Sequence, residues 1–144
     1  MQRFYVEVGE CAEFSKTVTE TDIALFAAVS GDFDPIHMDD AYAAKSRFGR
    51  RIAHGVFSMA LLSTVSAAIS RRARERGAPG VSVSLGYDRI RFLAPVYVGD
   101  TLTARYTIDK LEPDRGRTRS KVEVINQNAE PVVVGEHIMK WLPE

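Results

Sequence analysis

The stretch that decides the fold is Ile52-Ala-His-Gly-Val-Phe-Ser-Met-Ala-Leu-Leu-Ser-Thr-Val-Ser-Ala-Ala-Ile-Ser70. It contains no Asp, Glu, Lys or Arg. It is about long enough to cross a bilayer. However, it contains His54 and several hydroxyl side chains, and the rest of the chain offers ample partners to bury it. We therefore predict a helix from about Gly55 to Arg76 that is hydrophobic nearly all round because a protein core surrounds it. Gly77 just beyond it is typical of a helix end.

Two shorter helices are predicted before the long one. Thr19-Glu-Thr-Asp22 resembles a capping box, with Asp in place of Glu, and begins a helix that Gly31 ends. Asp39 is a natural N-cap for a second helix that runs to Ser46. The segment between them, Asp32-Phe-Asp-Pro-Ile-His37, is predicted to be irregular and curled.

After the long helix the hydrophobic periodicity changes from helical to alternating, which predicts strands at 81–92, 101–108, 117–126 and 132–141. The first strand carries one apolar side formed by Val81, Val83, Leu85 and Tyr87. Ile90 and Phe92 continue on the opposite parity, which predicts a bulge near Asp88. Helices followed by strands indicate a single α+β domain over residues 1–144, with an antiparallel sheet of four or five strands packed on the long helix. An exposed edge of that sheet would pair with a second copy.

The charges balance overall, with Lys+Arg 19 and Asp+Glu 19. Residues 1–40 carry 2 basic and 9 acidic side chains, whereas residues 41–91 carry 10 and 2. This predicts no nucleic-acid binding, but it leaves local arginines as candidates to meet phosphates of a small ligand: Arg47, Arg50, Arg51, Arg71, Arg72, Arg74 and Arg76. The amino-terminal sequence shows no secretory signal, and the single cysteine, Cys11, allows no intrachain disulfide. We therefore expect a cytoplasmic protein that is not attached to a membrane.

Asp32 and His37 are candidate catalytic residues. Five residues apart, they would lie about 140° apart on a helix and on opposite faces of a strand. Gly31 and Pro35 break regular structure, so the segment can aim both side chains into one space. A carboxylate beside an imidazole can orient it and share a water molecule with it, as proton transfer near neutral pH requires. The alternative is a capped turn, in which Asp32 or Asp34 binds local amides and His37 merely packs.

Gly55 is a candidate for binding an oxyanion. Its amide would be an unpaired donor at the positive end of the long helix, although glycine there can equally be a simple helix start. We interpret His54 as a structural residue. His37, His54 and His137 lack metal-ligand spacing, so we expect no metal.

The sequence resembles the MaoC-like (R)-specific enoyl-CoA hydratases and 3-hydroxyacyl thioester dehydratases in three segments: Ser30-Gly-Asp-Phe-Asp-Pro-Ile-His37, Phe48-Gly-Arg-Arg-Ile-Ala-His-Gly55 and Phe92-Leu-Ala-Pro-Val-Tyr-Val-Gly-Asp100. The resemblance spans nearly the whole chain. It implies a hot-dog fold, in which the antiparallel sheet wraps the long helix. It also implies that two chains join their sheets edge to edge as a homodimer, or as part of a higher homo-oligomer.

The resemblance also implies roles for the candidate residues. Asp32 and His37 would hold the reacting water as the catalytic pair, and the Gly55 amide would polarise the thioester carbonyl. The reaction would interconvert trans-2-enoyl and (3R)-3-hydroxyacyl thioesters of CoA or acyl-carrier protein, with no cofactor. The chain departs from the family pattern at two positions: Asp34, where Asn is usual, and Ala60, where some members carry a serine.

Two other functions remain open at this point. A hot-dog acyl-CoA thioesterase would share the fold and hydrolyse the thioester instead. A non-catalytic module that binds acyl thioesters would accommodate the departures at Asp34 and Ala60. The acyl chain length, the carrier and the physiological direction also stay open, because the lining of a pocket depends on packing.

Overall fold

The structure, a computed structural model, describes residues 3–143. Its elements follow in the order β1 (Cys11–Thr17), α1 (Glu20–Ser30), α2 (Pro35–Met38), α3 (Asp40–Ala44), α4 (Gly55–Glu75), β2 (Val81–Phe92), β3 (Thr101–Glu112), β4 (Arg117–Ile125) and β5 (Pro131–Leu142). A 3₁₀ turn, Pro113–Arg115, joins β3 to β4. The five strands form one antiparallel sheet in the order β1-β3-β4-β5-β2. The predicted α+β class is confirmed.

The sheet wraps around α4, which packs against β1, β3, β4 and β5. The helix contributes a stripe of buried apolar side chains, namely Phe57, Leu61, Leu62, Val65, Ile69 and Ala73. The facing side of β3 contributes Leu102, Ala104, Tyr106 and Ile108, which alternate as predicted. This arrangement of a sheet around one long helix confirms the expected hot-dog fold.

One expectation about α4 was wrong: it is not buried on all sides. Its outer side is exposed and carries Val56, Ala60, Ser63, Thr64 and Ala67. Apart from Val56, these residues have small or hydroxyl side chains, so the stretch 52–70 lacks charged residues because a buried apolar stripe lies beside an exposed face of small side chains. Among the helices within residues 3–143, none combines the length and apolarity that a membrane span requires.

Most of the helix ends lie where the sequence predicts them. Thr19 and Asp22 form the capping box, with Asp22 N donating to Thr19 Oγ1 at 3.1 Å and Thr19 N donating to Asp22 Oδ2 at 2.9 Å. Gly31 ends α1 with a φ of 79°, a left-handed conformation that glycine adopts without strain. The helix predicted from Asp39 to Ser46 is shorter, because α3 ends at Ala44.

Strand β1 was not predicted. Its sequence is mostly polar, and Ala12 is its one fully buried residue, so hydrophobic alternation gave little signal. Pairing with β3 over its whole length, for example Ala12 opposite Tyr106, defines it instead.

Strand β2 is less regular than predicted. The expected bulge near Asp88 is present as a register shift between Asp88 and Arg91. A second shift lies between Ser84 and Gly86, so Leu85 is an extra residue and the parity changes there. Tyr87, opposite the buried His137, therefore lies on the inner face, contrary to the prediction of one shared apolar side. The other three apolar residues of that set, Val81, Val83 and Leu85, are exposed.

Candidate active site

The turn after α1 brings Asp32 and His37 together. Gly31 ends α1, and Asp34 then caps α2 by accepting a hydrogen bond from the Ile36 amide at 3.0 Å. His37 lies in α2, one turn further on. As a result, His37 Nε2 and Asp32 Oδ2 are 3.9 Å apart. The predicted curled segment is thus partly helical, and both candidate side chains approach the same point.

The tautomer of His37 follows from its backbone contact. His37 Nδ1 lies 2.7 Å from the carbonyl oxygen of Ile52, and a carbonyl can only accept, so Nδ1 carries the proton. The lone pair of a neutral His37 is therefore on Nε2, the atom that faces Asp32. A water molecule placed about 2.8 Å from each group could hydrogen-bond to both.

The two members of the pair differ in exposure. The His37 side chain is 12% exposed, whereas the Asp32 side chain is 50% exposed. Asp32 Oδ1 also accepts a hydrogen bond from the Asp34 amide at 3.1 Å, which fixes the carboxylate against its own turn. The departure at Asp34 leaves this turn intact, since its carboxylate caps α2 and Asn can cap a helix in the same way.

Gly55 is the first residue of α4, as predicted, and its amide therefore has no acceptor within the helix. The N-cap residue, His54, provides no side-chain hydrogen bond to this helix end. Glycine also has a packing reason here, because a Cβ added to Gly55 would lie 3.0 Å from Phe92 Cδ1. Both interpretations of Gly55, helix start and open donor, fit these contacts.

An apolar cavity of about 400 Å³ adjoins this helix end. Gly55 forms part of its wall, and so does Ile52, whose carbonyl holds His37. The rest of the wall is formed by Phe48, Ala53, Val56, Ser58, Phe92, Leu93, Ala94, Pro95, Val96, Val132 and Val133. A linear acyl group suits such a lining, and the helix amide lies at its border.

His54 touches both members of the pair, although the sequence offered no sign of this. Its Nε2 donates to the carbonyl oxygen of Asp32 at 2.9 Å. Its ring stacks on the ring of His37, with centroids 3.9 Å apart and planes at 26°. The residue is 2% exposed, and its Nδ1 is buried without a hydrogen-bond partner in the described part of the chain.

The side chains of Asp32, His37 and His54 each place a potential metal ligand within 4.8 Å of the others. The rings of His37 and His54 are stacked face to face at 26°, so their in-plane lone pairs lie in nearly parallel planes, whereas two lone pairs that bind one tetrahedral ion must converge on it. The third histidine, His137, lies on β5 and bonds instead to Ser84 and Tyr106. The three histidines considered in the sequence therefore do not form one cluster.

Arg51 holds the segments around His37. Its guanidinium donates to both carboxylate oxygens of Glu20 at 2.7 Å, to Asp40 Oδ1 at 2.7 Å and to the carbonyl of His37 at 3.4 Å. The hydrogen bond to Glu20, followed by that to Asp40, raises the pKa of Arg51. Arg51 was a sequence candidate for binding phosphate, but these partners already occupy its guanidinium.

Comparison with known proteins places the chain in a family. The family model for the MaoC-like domain matches residues 6–132. An (R)-specific enoyl-CoA hydratase from Aeromonas caviae is 35% identical over 135 residues, which are 94% of this chain and 95% of that protein. A 3-hydroxybutyryl-CoA dehydratase from Methylorubrum extorquens is 33% identical over 135 residues, covering 94% of this chain and 80% of the relative.

Solved structures agree with these sequence matches. An R-hydratase from Pseudomonas aeruginosa in the unliganded form superposes with a TM-score of 0.80 at 39% identity, covering 98% of this chain and 86% of that one. The (R)-hydratase from A. caviae involved in PHA biosynthesis gives a TM-score of 0.81 at 33% identity, covering 95% and 98%. With its sheet wrapped around α4 and a family match over most of its length, the chain belongs to the MaoC-like family.

Proposed function

We propose that the protein is a hydro-lyase that adds water to trans-2-enoyl thioesters and removes it from (3R)-3-hydroxyacyl thioesters. The observation that carries this proposal is the approach of Asp32 and His37 to 3.9 Å, with His37 held by the carbonyl of Ile52, a wall residue of the apolar cavity that Gly55 borders. Relatives named (R)-specific enoyl-CoA hydratase and 3-hydroxybutyryl-CoA dehydratase support the same reaction class. The proposal needs no metal or cofactor.

In the hydration direction, His37 Nε2 takes a proton from the shared water, and the water oxygen bonds to C3 of the substrate. The electron pair of the C2–C3 double bond shifts toward the thioester carbonyl, and the Gly55 amide stabilises the charge on its oxygen. The proton taken from the water then passes through the Asp32 carboxylate to C2, so that one proton leaves the water and one reaches the substrate. The geometry also accommodates the exchanged assignment of acid and base. Dehydration follows the same path in reverse.

The thioester carrier is CoA or an acyl-carrier protein, which both present a phosphopantetheine arm. Phe48 lines the cavity, and the neighbouring Arg47 and Arg50 supply positive charge close to it in the chain. The guanidinium of Arg50 lies 4.1 Å from the centre of the Tyr97 ring, so its position is defined. Both arginines are suited to meeting the phosphate of that arm.

The direct test follows the loss of the enoyl absorbance of crotonyl-CoA, then of longer enoyl-CoA and enoyl-carrier substrates up to twelve carbons. Asp32→Asn and His37→Gln are each expected to lower kcat/KM by about 10²–10⁴-fold, because each removes a proton-transfer group. Asp109→Asn, a change at an exposed carboxylate of β3, serves as the matched control and should leave the rate unchanged.

Three results would contradict the proposal. One is no hydration of any substrate in the panel. Another is unchanged rates in both variants, which would reassign Asp32 and His37 to structure. The third is release of free thiol from a saturated acyl-CoA, which would identify a thioesterase instead.

We further propose that the active protein is a cytoplasmic homodimer or higher homo-oligomer. The apolar side chains exposed on the edge strand β2 support self-association, and the half-exposed Asp32 leaves one side of the site open to a partner copy. The lone cysteine, Cys11, fits a reducing compartment.

A further inference from the structure

We propose that His54 is a positioning residue, which holds Asp32 and His37 in one arrangement by binding the backbone of the first and stacking on the ring of the second. The inference rests on the proposed function, since it concerns how the pair is aligned. His54 itself carries no proton in the reaction.

The first contact fixes the acid. His54 Nε2 donates to the carbonyl oxygen of Asp32 at 2.9 Å, across 22 residues of sequence. This carbonyl belongs to the residue directly after Gly31, where α1 has ended and no helical hydrogen bond constrains the chain. The His54 ring therefore ties the turn that carries Asp32 to the amino end of α4.

The second contact fixes the base. The rings of His54 and His37 overlap with centroids 3.9 Å apart, and the ring of Phe26 from α1 packs against His54 at 4.8 Å. His54 is thus held between α1 and His37. Because the Ile52 carbonyl also holds His37 Nδ1 at 2.7 Å, a shift of the His54 ring would allow His37 to tilt about this hydrogen bond and move Nε2 away from Asp32.

Stability alone does not account for an imidazole at this position. His54 Nδ1 is buried and has no hydrogen-bond partner among the residues that the structure describes, and an unsatisfied buried polar atom costs stability. Phenylalanine would fill the same space between Phe26 and His37 with no such cost. His137, in contrast, has both ring nitrogens in hydrogen bonds. What His54 adds over phenylalanine is the donor to Asp32, and this donor serves the alignment of the pair.

Two substitutions separate the two contacts. His54→Phe keeps an aromatic ring against His37 and removes the donor to Asp32, whereas His54→Gln keeps an amide donor and removes the ring. Each is expected to lower kcat for crotonyl-CoA hydration by about 10–100-fold, because small displacements of reacting groups cost rate steeply. KM should change by less than about threefold, since neither variant alters the cavity wall. His54→Phe should unfold at the wild-type temperature or above.

The matched control is His137→Gln, which alters the other buried histidine. It should lower the stability of the protein and leave kcat within about twofold of wild type. The expected signature of His54 is therefore the opposite one, with kcat reduced and stability retained.

The outcomes distinguish this inference from the proposed function. An active wild type whose kcat is unchanged in folded His54→Phe and His54→Gln overturns the role of His54 and leaves the hydro-lyase assignment standing. A wild type that is inactive on every enoyl thioester contradicts both the role of His54 and the hydro-lyase assignment. If neither variant folds, the exchange rate of the His54 Nε2 proton with solvent is measured in the wild type at neutral pH. Slow exchange supports a His54 side chain that is held as a buried donor to Asp32. Fast exchange overturns that role.

Discussion

His137 shows how strongly burial acts on a single side chain in this protein. It is fully buried on β5, and loss of solvation lowers the pKa of its imidazole from 6.5 to about 4. Burial also raises the pKa of Tyr106 to about 12, so the phenol keeps its proton, and its oxygen lies within hydrogen-bond distance of His137 Nδ1, at 2.8 Å. His137 Nε2 lies 2.8 Å from Ser84 Oγ, so each ring nitrogen of His137 has a hydroxyl as its hydrogen-bond partner.

This network makes stability depend on pH. Between pH 6.5 and about 4, the unfolded chain protonates His137 and the folded chain does not, so the free energy of unfolding falls as the pH is lowered through this window. The contribution is fully present above pH 6.5 and amounts to about 3 kcal/mol. Urea unfolding at a series of pH values should show this slope in the wild type and a shallower slope in His137→Gln. Equal slopes in the two proteins would show that another group is responsible.

The candidate catalytic pair could be identified from the sequence, but its alignment could not. Asp32 and His37 were selected because Gly31 and Pro35 interrupt regular structure around them. The residues that orient the pair, His54 and Ile52, act through a ring stack and a backbone carbonyl. Neither contact can be recognised in the sequence. Every residue has a backbone carbonyl, and the sequence does not distinguish a histidine that stacks on a catalytic ring from one that only packs in the core.

At the scale of elements, the short helices α2 and α3 depend on a guanidinium for their position. α2 has four residues and α3 has five, so each is too short to be stable without tertiary contacts. Arg51 joins Glu20 at the start of α1, Asp40 at the start of α3 and the carbonyl of His37 in α2. Its side chain is 16% exposed, so these bonds are partly shielded from water.

Arg51→Lys is expected to loosen this arrangement, because an ammonium cannot make the forked contacts of a guanidinium. We predict a loss of about tenfold in kcat/KM and about 1 kcal/mol in the free energy of unfolding, measured by enoyl-CoA hydration and urea unfolding. Arg71→Lys is the matched control on α4. Its partner Glu75 is 3.7 Å away and both side chains are 65% exposed, so this change should affect neither quantity. Wild-type values in Arg51→Lys would contradict the positioning role.

At the scale of the molecule, we propose that the edge strand β2 carries the self-association of the chain. β2 is an edge strand, so one side of its backbone has no strand partner among residues 3–143. Val81, Val83 and Leu85 are 59%, 41% and 49% exposed along it. A second copy that adds its own edge strand would satisfy the backbone groups and cover these side chains.

Val83→Lys is therefore expected to weaken self-association, because it places a charge between the two other exposed apolar side chains, Val81 and Leu85. Light scattering after size-exclusion chromatography should give about twice the 16.0 kDa chain mass, or a higher multiple, for the wild type and a shift toward 16.0 kDa for the variant. Val8→Lys changes a still more exposed valine, outside the strands, and should leave the mass unchanged. A monomeric wild type, or an unaltered mass in Val83→Lys, would contradict the prediction.

The sequence by itself determined the elements whose rules are local. Four features depend only on residues a few positions apart in the sequence: the capping box at Thr19, the end of α1 at Gly31, the start of α4 at Gly55 and the alternation of apolar residues in β3. The hydrophobic periodicity along the chain then determined the α+β class, because the helical spacing of apolar residues changes to alternation after α4.

Only the tertiary structure decided which faces are buried and how the site is aligned. β1 exists because it pairs with β3, and Tyr87 turns inward because Leu85 is an extra residue in the β2–β5 ladder. The bonds that orient Asp32 and His37 span 22 and 15 residues. Contacts between residues so far apart in sequence form only when the whole chain has folded back on itself, and local sequence patterns do not specify where this happens.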